Sequence, residues 1–142
     1  MRPLSIFKKS LTKLKLQGAF ISCPLNVRYL TGFGGKGEGV VGSLGNPEGF
    51  LLVTRKDTTL LVDSRYEGAA RQVHGVKTYV FSKPKRALEI AELVRKKKIR
   101  ILGTEDRFLT YEDGLRLKKV FKNVILKNIS DVLLYTMPRS RS

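Results

Sequence analysis

Leu4, Phe7, Leu11 and Leu14 recur at spacings of three and four residues, the apolar stripe of an amphipathic helix. Pro3 suits the first turn of that helix, and Gly18 is placed to stop it. Gly18-Ala19-Phe20-Ile21-Ser22 then reads as a short buried strand. Asn26 is expected to cap a brief helix through Tyr29, ended by Gly32. A glycine-rich stretch runs from Gly32 to Gly49, with Val40-Val41 as a candidate strand inside it. The runs Gly49–Thr54 and Thr58–Asp63 are the clearest strands. Only a few polar residues around Lys56-Asp57 separate them, which predicts an antiparallel hairpin.

The remaining pattern alternates. Ser64-Arg65-Tyr66-Glu67 has the spacing of a capping box, followed by a helix that buries Tyr66, Ala69, Ala70 and Val73. Lys77–Phe81 is a strand, and Pro84 opens a helix with Ala87, Ile90, Ala91 and Val94 facing inward. Ile99–Gly103 is the next strand, Thr110 and Asp113 start a helix, and Asn123–Ile129 is the last strand. Ser130 is expected to cap a final segment through Tyr135. Helix and strand alternating after a hairpin predict one α/β domain with a mixed sheet: an antiparallel hairpin plus parallel crossovers, covered by helices. The domain is expected to occupy residues 1–135, leaving 136–142 as a basic tail or truncated linker.

Length and composition agree. The 142 residues suit one domain, and a hydrophobic content of 42% is enough for a core. Disordered, collagen-like and low-complexity classes are excluded. A single cysteine, Cys23, cannot form an internal disulfide. No apolar run approaches the ~20 residues of a spanning helix. Lys8, Lys9, Lys13 and Lys15 interrupt the place where a signal peptide needs its uncharged stretch. A cytoplasmic protein with no membrane partner is the expectation.

The net charge is +16, with the densest run at Arg95-Lys96-Lys97-Lys98. Such a charge attracts phosphate polymers whatever the biological role, so non-specific polyanion binding at low salt is expected. No zinc-finger spacing or aromatic-rich RNA-binding signature accompanies it.

The inventory for chemistry is thin. His74 is the only histidine and reads as an exposed residue at a helix end; Cys23 reads as an inert buried thiol. No G-x-S-x-G elbow supports a triad. Gly34-Gly35-Lys36-Gly37 lacks the spacing of a Walker loop, and strands rather than a helix follow it. Its glycines instead suit a loop whose backbone approaches another surface. Lys36 and Glu38 lie within it, where a Lys can attract a peptide carboxylate and a Glu a free amine. A nuclease-like centre would need clustered carboxylates and metal, with Asp63, Glu67, Glu105 and Asp106 as its only members.

One pattern is more specific. Asn26-Val27-Arg28-Tyr29-Leu30-Thr31-Gly32-Phe33 resembles the N-x-R-Y-L-T-G-F signature of the N-terminal domain shared by creatinase, prolidase and aminopeptidase P. Further along, Leu61-Val62-Asp63-Ser64-Arg65-Tyr66-Glu67-Gly68-Ala69-Ala70 resembles that domain's second signature. Ile101-Leu102-Gly103-Thr104-Glu105 resembles its later I-G-x-E strand. The resemblance implies a three-layer α/β/α fold of ribonuclease H-like topology. It implies structural roles for Asn26, Arg28, Tyr29, Gly32, Phe33, Asp63, Arg65 and Tyr66. Tyr29, Leu30 and Phe33 are expected to pack the short helix onto the sheet, and Asp63 and Arg65 to pair or to bond neighbouring backbone.

In the resembling enzymes the reaction belongs to a C-terminal pita-bread domain, whose peptidase members hold two divalent metal ions such as manganese, cobalt or zinc. This chain is expected to carry no catalytic residue, metal or cofactor of its own. The implied role is a non-catalytic N-terminal domain of an Xaa-Pro dipeptidase or aminopeptidase, serving dimerisation (a homodimer) and the substrate mouth, with Lys36 and Glu38 on the mouth loop. The alternative is a standalone pseudo-peptidase domain that binds acidic protein or nucleic acid.

Overall fold

A computed structural model describes residues 2–34 and 39–133. Its centre is a six-stranded sheet in the order β4-β3-β2-β1-β5-β6. β1 (Gly18–Ile21), β2 (Phe50–Thr54) and β3 (Thr58–Val62) are buried along nearly their whole length. That is why they read as continuous apolar runs rather than alternating ones. β2 is antiparallel to both β1 and β3, with Ile21 opposite Leu51 and Phe50 opposite Leu61. β4 (Lys77–Val80) joins β3 in parallel, while β5 (Ile101–Thr104) and β6 (Ile125–Asn128) extend the other side in parallel from β1. Every strand except β2 therefore points the same way. The expected hairpin and crossovers are both present.

Helices cover both faces. α1 (Pro3–Lys13), α2 (Pro24–Thr31) and α3 (Glu67–Arg71) bury Phe7, Leu11, Val27, Leu30 and Ala70 against one face. α4 (Arg86–Lys96) and α5 (Tyr111–Val120) bury Ile90, Val94 and Leu117 against the other. The second core includes a ring cluster in which Phe20 and Phe50 stand 5.2 Å apart between centroids and Phe50 and Phe81 6.4 Å. The layers are α/β/α.

Several element ends differ from the sequence reading. α1 stops before Gly18: Lys15 takes a positive φ of 58°, its amide donates to the Thr12 carbonyl, and the Leu16 amide reaches the Leu11 carbonyl. This is the helix-ending double bond usually built on glycine, and it frees Gly18 to begin β1. α2 begins two residues earlier than Asn26. Pro24 occupies its first turn after extended Cys23, because a fixed φ and a missing amide suit that position. Asn26 is thus inside the helix and no cap. The second expected cap also moves. Asp63, not Ser64, accepts the Arg65 amide and starts a 3-10 turn over Ser64–Tyr66, and Glu67 pairs with Arg71 one turn on. Val40-Val41 forms no strand; Gly42 alone bridges to Leu109. Ser130 lies in a turn, where its hydroxyl accepts the Arg107 amide at 2.9 Å. The rest of its expected segment lies outside the described residues.

Candidate functional site

The parallel strands all end at one edge of the sheet, and both motif segments leave from there: α2 after β1, and the 3-10 turn with α3 after β3. Open α/β sheets offer their binding crevices at such strand ends.

Along α2, Val27 and Leu30 face the core while Tyr29 turns outward, 44% exposed. Tyr29 therefore does not pack the helix onto the sheet as expected: Asn26, Val27 and Leu30 already fill the inward face. The helix closes on itself through two neighbours. Gly32, at φ +80°, donates to the Arg28 carbonyl at 2.7 Å, and the Thr31 hydroxyl donates to the Val27 carbonyl and accepts the Phe33 amide. This turn drops Phe33 back into the core. Arg28 is half-buried and lines a small cleft of about 310 Å³ that also takes in Gly34, Gly39, Asn46 and Glu48.

Asp63 organises the second motif. Its Oδ1 accepts the Arg65 amide at 3.1 Å and Arg65 Nε at 3.2 Å, and its Oδ2 accepts Arg86 Nη2 at 3.2 Å. The Arg65 amide, then the two guanidinium groups, hold this carboxyl below its ordinary range. Arg65 also donates to Asn46 Oδ1 and stands 5.2 Å from the centroid of the Tyr66 ring. Asp63 and Arg65 thus pair with each other and clamp the glycine-rich stretch to the 3-10 turn.

The two motifs meet. Tyr29 and Phe33 from the first, with Gly34 just after it, line one open cleft of about 890 Å³ together with Tyr66 and Ala69 from the second, and Leu4 of α1. His74, exposed in the turn after α3, stands at its border. Lys36 and Glu38 lie outside the described residues, between Gly34 and Gly39.

Beneath this edge the acids are committed to backbone. Glu105, 0% exposed after β5, accepts the Ser22 and Cys23 amides on Oε1 at 2.9 and 3.0 Å, and the Asn26 side-chain amide on Oε2 at 2.6 Å. Burial pushes its carboxyl up to about 7, against the opposing pull of those donors. Glu89 is also buried, yet it collects Tyr79 Oη, both Ser82 donors and the Lys83 amide; together they outweigh burial and hold it below its ordinary range. Asp113 accepts the Leu44 amide at 3.1 Å. Burial raises the Cys23 thiol, and the side chain has no exposed surface. Among the described residues no three His, Cys, Asp or Glu side chains group to hold a metal ion. They do not supply a two-metal ligand set. What the edge offers is an aromatic and apolar surface over carboxylate-anchored loops, suited to binding.

The Glu105 hub was not legible as such. Its signal was only the acid after the I-L-G-T strand.

The family model for the creatinase/prolidase N-terminal domain matches residues 4–136. The chain belongs to that family. Among solved structures, this creatinase/prolidase N-terminal domain is similar to an Xaa-Pro dipeptidase from Bacillus anthracis, at 20% identity and a TM-score of 0.76 over 94% of this chain and 34% of that one. It is similar to the N-terminal domain of the cytoplasmic peptidase PepQ from Mycobacterium tuberculosis H37Rv, at 24% identity and a TM-score of 0.73 over 95% of this chain and 97% of that one. It is also similar to an X-Pro aminopeptidase from Thermotoga maritima MSB8, at 16% identity and a TM-score of 0.75 over 96% and 36%. The chain spans about a third of the length of the B. anthracis dipeptidase. No curated protein matches it in sequence. Among the described residues no helix is long and apolar enough to cross a membrane.

Proposed function

We propose that this chain acts as the non-catalytic N-terminal domain of an Xaa-Pro dipeptidase or aminopeptidase, pairing with a metal-dependent C-terminal catalytic domain. The observation that carries this reading is the meeting of the two motif segments in one cleft. There Tyr29 and Tyr66 present aromatic surface while the acids below are spent on holding loops. Half-exposed aromatic side chains beside apolar surface favour contact with another protein surface. The domain shapes the substrate mouth and contributes to a homodimer, with Lys36 and Glu38 on the mouth loop. A cytoplasmic location goes with this role.

The test joins two measurements. The purified chain, assayed with manganese, cobalt or zinc, is expected to hydrolyse no Xaa-Pro peptide. Supplied with a family C-terminal domain as a second polypeptide, it is expected to form a complex that Tyr29→Ala with Tyr66→Ala weakens. Metal-dependent turnover by the chain alone would overturn the reading, as would failure to associate with any such domain. The net charge of +16 supports a second reading, a standalone module for acidic protein or nucleic acid.

A further inference from the structure

The face opposite the cleft carries a different surface. Two adjoining depressions of about 860 and 930 Å³ run along the α4–α5 pair and share Ala91, Arg95, Val120 and Lys122 in their walls. Among the described residues eight cations line them, six of which are Lys85, Arg95, Lys98, Arg100, Lys119 and Lys122. All six are exposed, and among the described residues none has a carboxylate partner. The two other cations in the walls are committed, Arg86 to Asp63 and Arg116 to Glu112 and Asp113. Among the described residues Glu92 is the one acid in the lining. Elsewhere the fold neutralises its bases where it needs them, as Asp57 does between Lys77 and Lys97.

We propose that this groove binds a nucleic-acid duplex through its phosphates. Lys85 precedes α4 and Arg95 lies in its last turn, while Lys119 lies in the last turn of α5 and Lys122 just beyond it, so both helices bring charge to the depressions. Two packed helices stand ~8–10 Å apart axis to axis, a spacing comparable to the ~6–12 Å widths of duplex grooves. Like charges held this close repel, and an anion of matching repeat relieves the repulsion while releasing its own counterions. Among the described residues no aromatic side chain except Phe121, itself buried, lines the depressions, so these residues offer no stacking platform for single strands. The inference does not depend on the peptidase reading.

The experiment measures binding of the full chain to a labelled 20-base-pair DNA duplex, and to the RNA duplex of the same sequence, by fluorescence anisotropy at several salt concentrations. One variant carries Arg95→Gln, Lys119→Gln and Lys122→Gln. The other carries Lys9→Gln, Lys13→Gln and Arg55→Gln, the same charge removed from exposed positions elsewhere. The groove variant is expected to bind at least about tenfold more weakly at low salt, with the salt slope reduced by about 2–3. The other is expected to change less than about threefold. Amide shift mapping of the unsubstituted chain is expected to show perturbation along residues 85–100 and 116–125. Tight binding of either duplex with that pattern supports the proposal. Equal losses in both variants, shifts centred elsewhere, preference for single strands, or displacement by polyglutamate at matched charge would each overturn it.

Discussion

The Asn26 side-chain amide donates to Glu105 Oε2 at 2.6 Å, tying the first turn of α2 to the end of β5 across 79 positions of sequence. The other carboxylate oxygen takes the Ser22 and Cys23 amides at the end of β1. One buried side chain therefore fixes where the first motif segment leaves the sheet. The ionised form, which prevails above about 7, can accept all three of these donors, while burial favours the neutral form below that value.

That burial makes stability depend on pH in a defined direction. The Glu105 carboxyl titrates near 7 in the folded chain and near its ordinary 4.5 when unfolded. A raised folded value means that the contribution is fully present below about 4.5 and is lost as pH rises through about 7. The loss amounts to about 3 kcal/mol by linkage. Thermal unfolding from pH 4.5 to 7.5 should show this fall against Glu105→Gln, whose curve lacks it; parallel curves would refute the assignment. Glu105→Ala, which strands three donors, should cost about 3 kcal/mol or more throughout.

Gly42 tests how the glycine-rich stretch crosses the sheet end. A Cβ there would stand 2.4 Å from the Ser22 carbonyl oxygen and 2.9 Å from the Phe50 ring, and backbone cannot step aside. The Gly42 amide also donates to the Phe108 carbonyl at 3.0 Å. Gly42→Ala should therefore destabilise by about 1–3 kcal/mol. Gly39→Ala, which meets nothing within 4 Å, should change the unfolding midpoint little. Equal effects in chemical denaturation would show that the crossing is not tight.

The strands were legible because each central one is buried on both faces and reads as an unbroken apolar run. The hairpin was legible because Thr54–Thr58 leaves room for nothing but a turn. Helix starts were less so. Asn26 and Ser64 have the side chains of caps, but Pro24 opens α2 earlier, the Asp63 carboxylate caps the 3-10 turn at the Arg65 amide, and the Glu67 amide goes to the Ser64 carbonyl rather than its hydroxyl. Tyr29 shows the limit of a family motif, since the motif fixes its identity but not the side of the helix on which Asn26, Val27 and Leu30 leave it. The Glu105 hub and the α4–α5 groove are contacts between segments far apart in sequence, and no local spacing encodes them.

Lys15 stands where helix ends favour glycine. Its φ of 58° crowds a Cβ against its own backbone, at a cost of roughly 1–2 kcal/mol for a non-glycine residue. Lys15→Gly should raise the unfolding free energy by about 0.5–1 kcal/mol, the gain being smaller than the strain because glycine also loosens the unfolded chain. Urea denaturation reads it directly. A loss of stability would mean that the Lys15 side chain contributes contacts exceeding the strain.

Lys36 and Glu38 provide the test of the mouth loop. The residues on either side, Gly34 and Gly39, both line the cleft that Arg28, Asn46 and Glu48 share at the end of β1. The segment is thus rooted at the same sheet edge as the motif cleft, which Gly34 also lines. If the loop forms a lip over a substrate, its charges act on a peptide's termini across solvent, so they affect binding more than the chemical step. In the enzyme reconstituted with its catalytic domain, Lys36→Ala is expected to raise KM for substrates with a free carboxylate about threefold or more, and Glu38→Ala for those with a free amine. Neither should move kcat or the thermal midpoint appreciably. Loss of kcat with unchanged KM would place these residues nearer the reaction than a lip allows. Unchanged kinetics in both variants would leave the loop as a connection between α2 and β2.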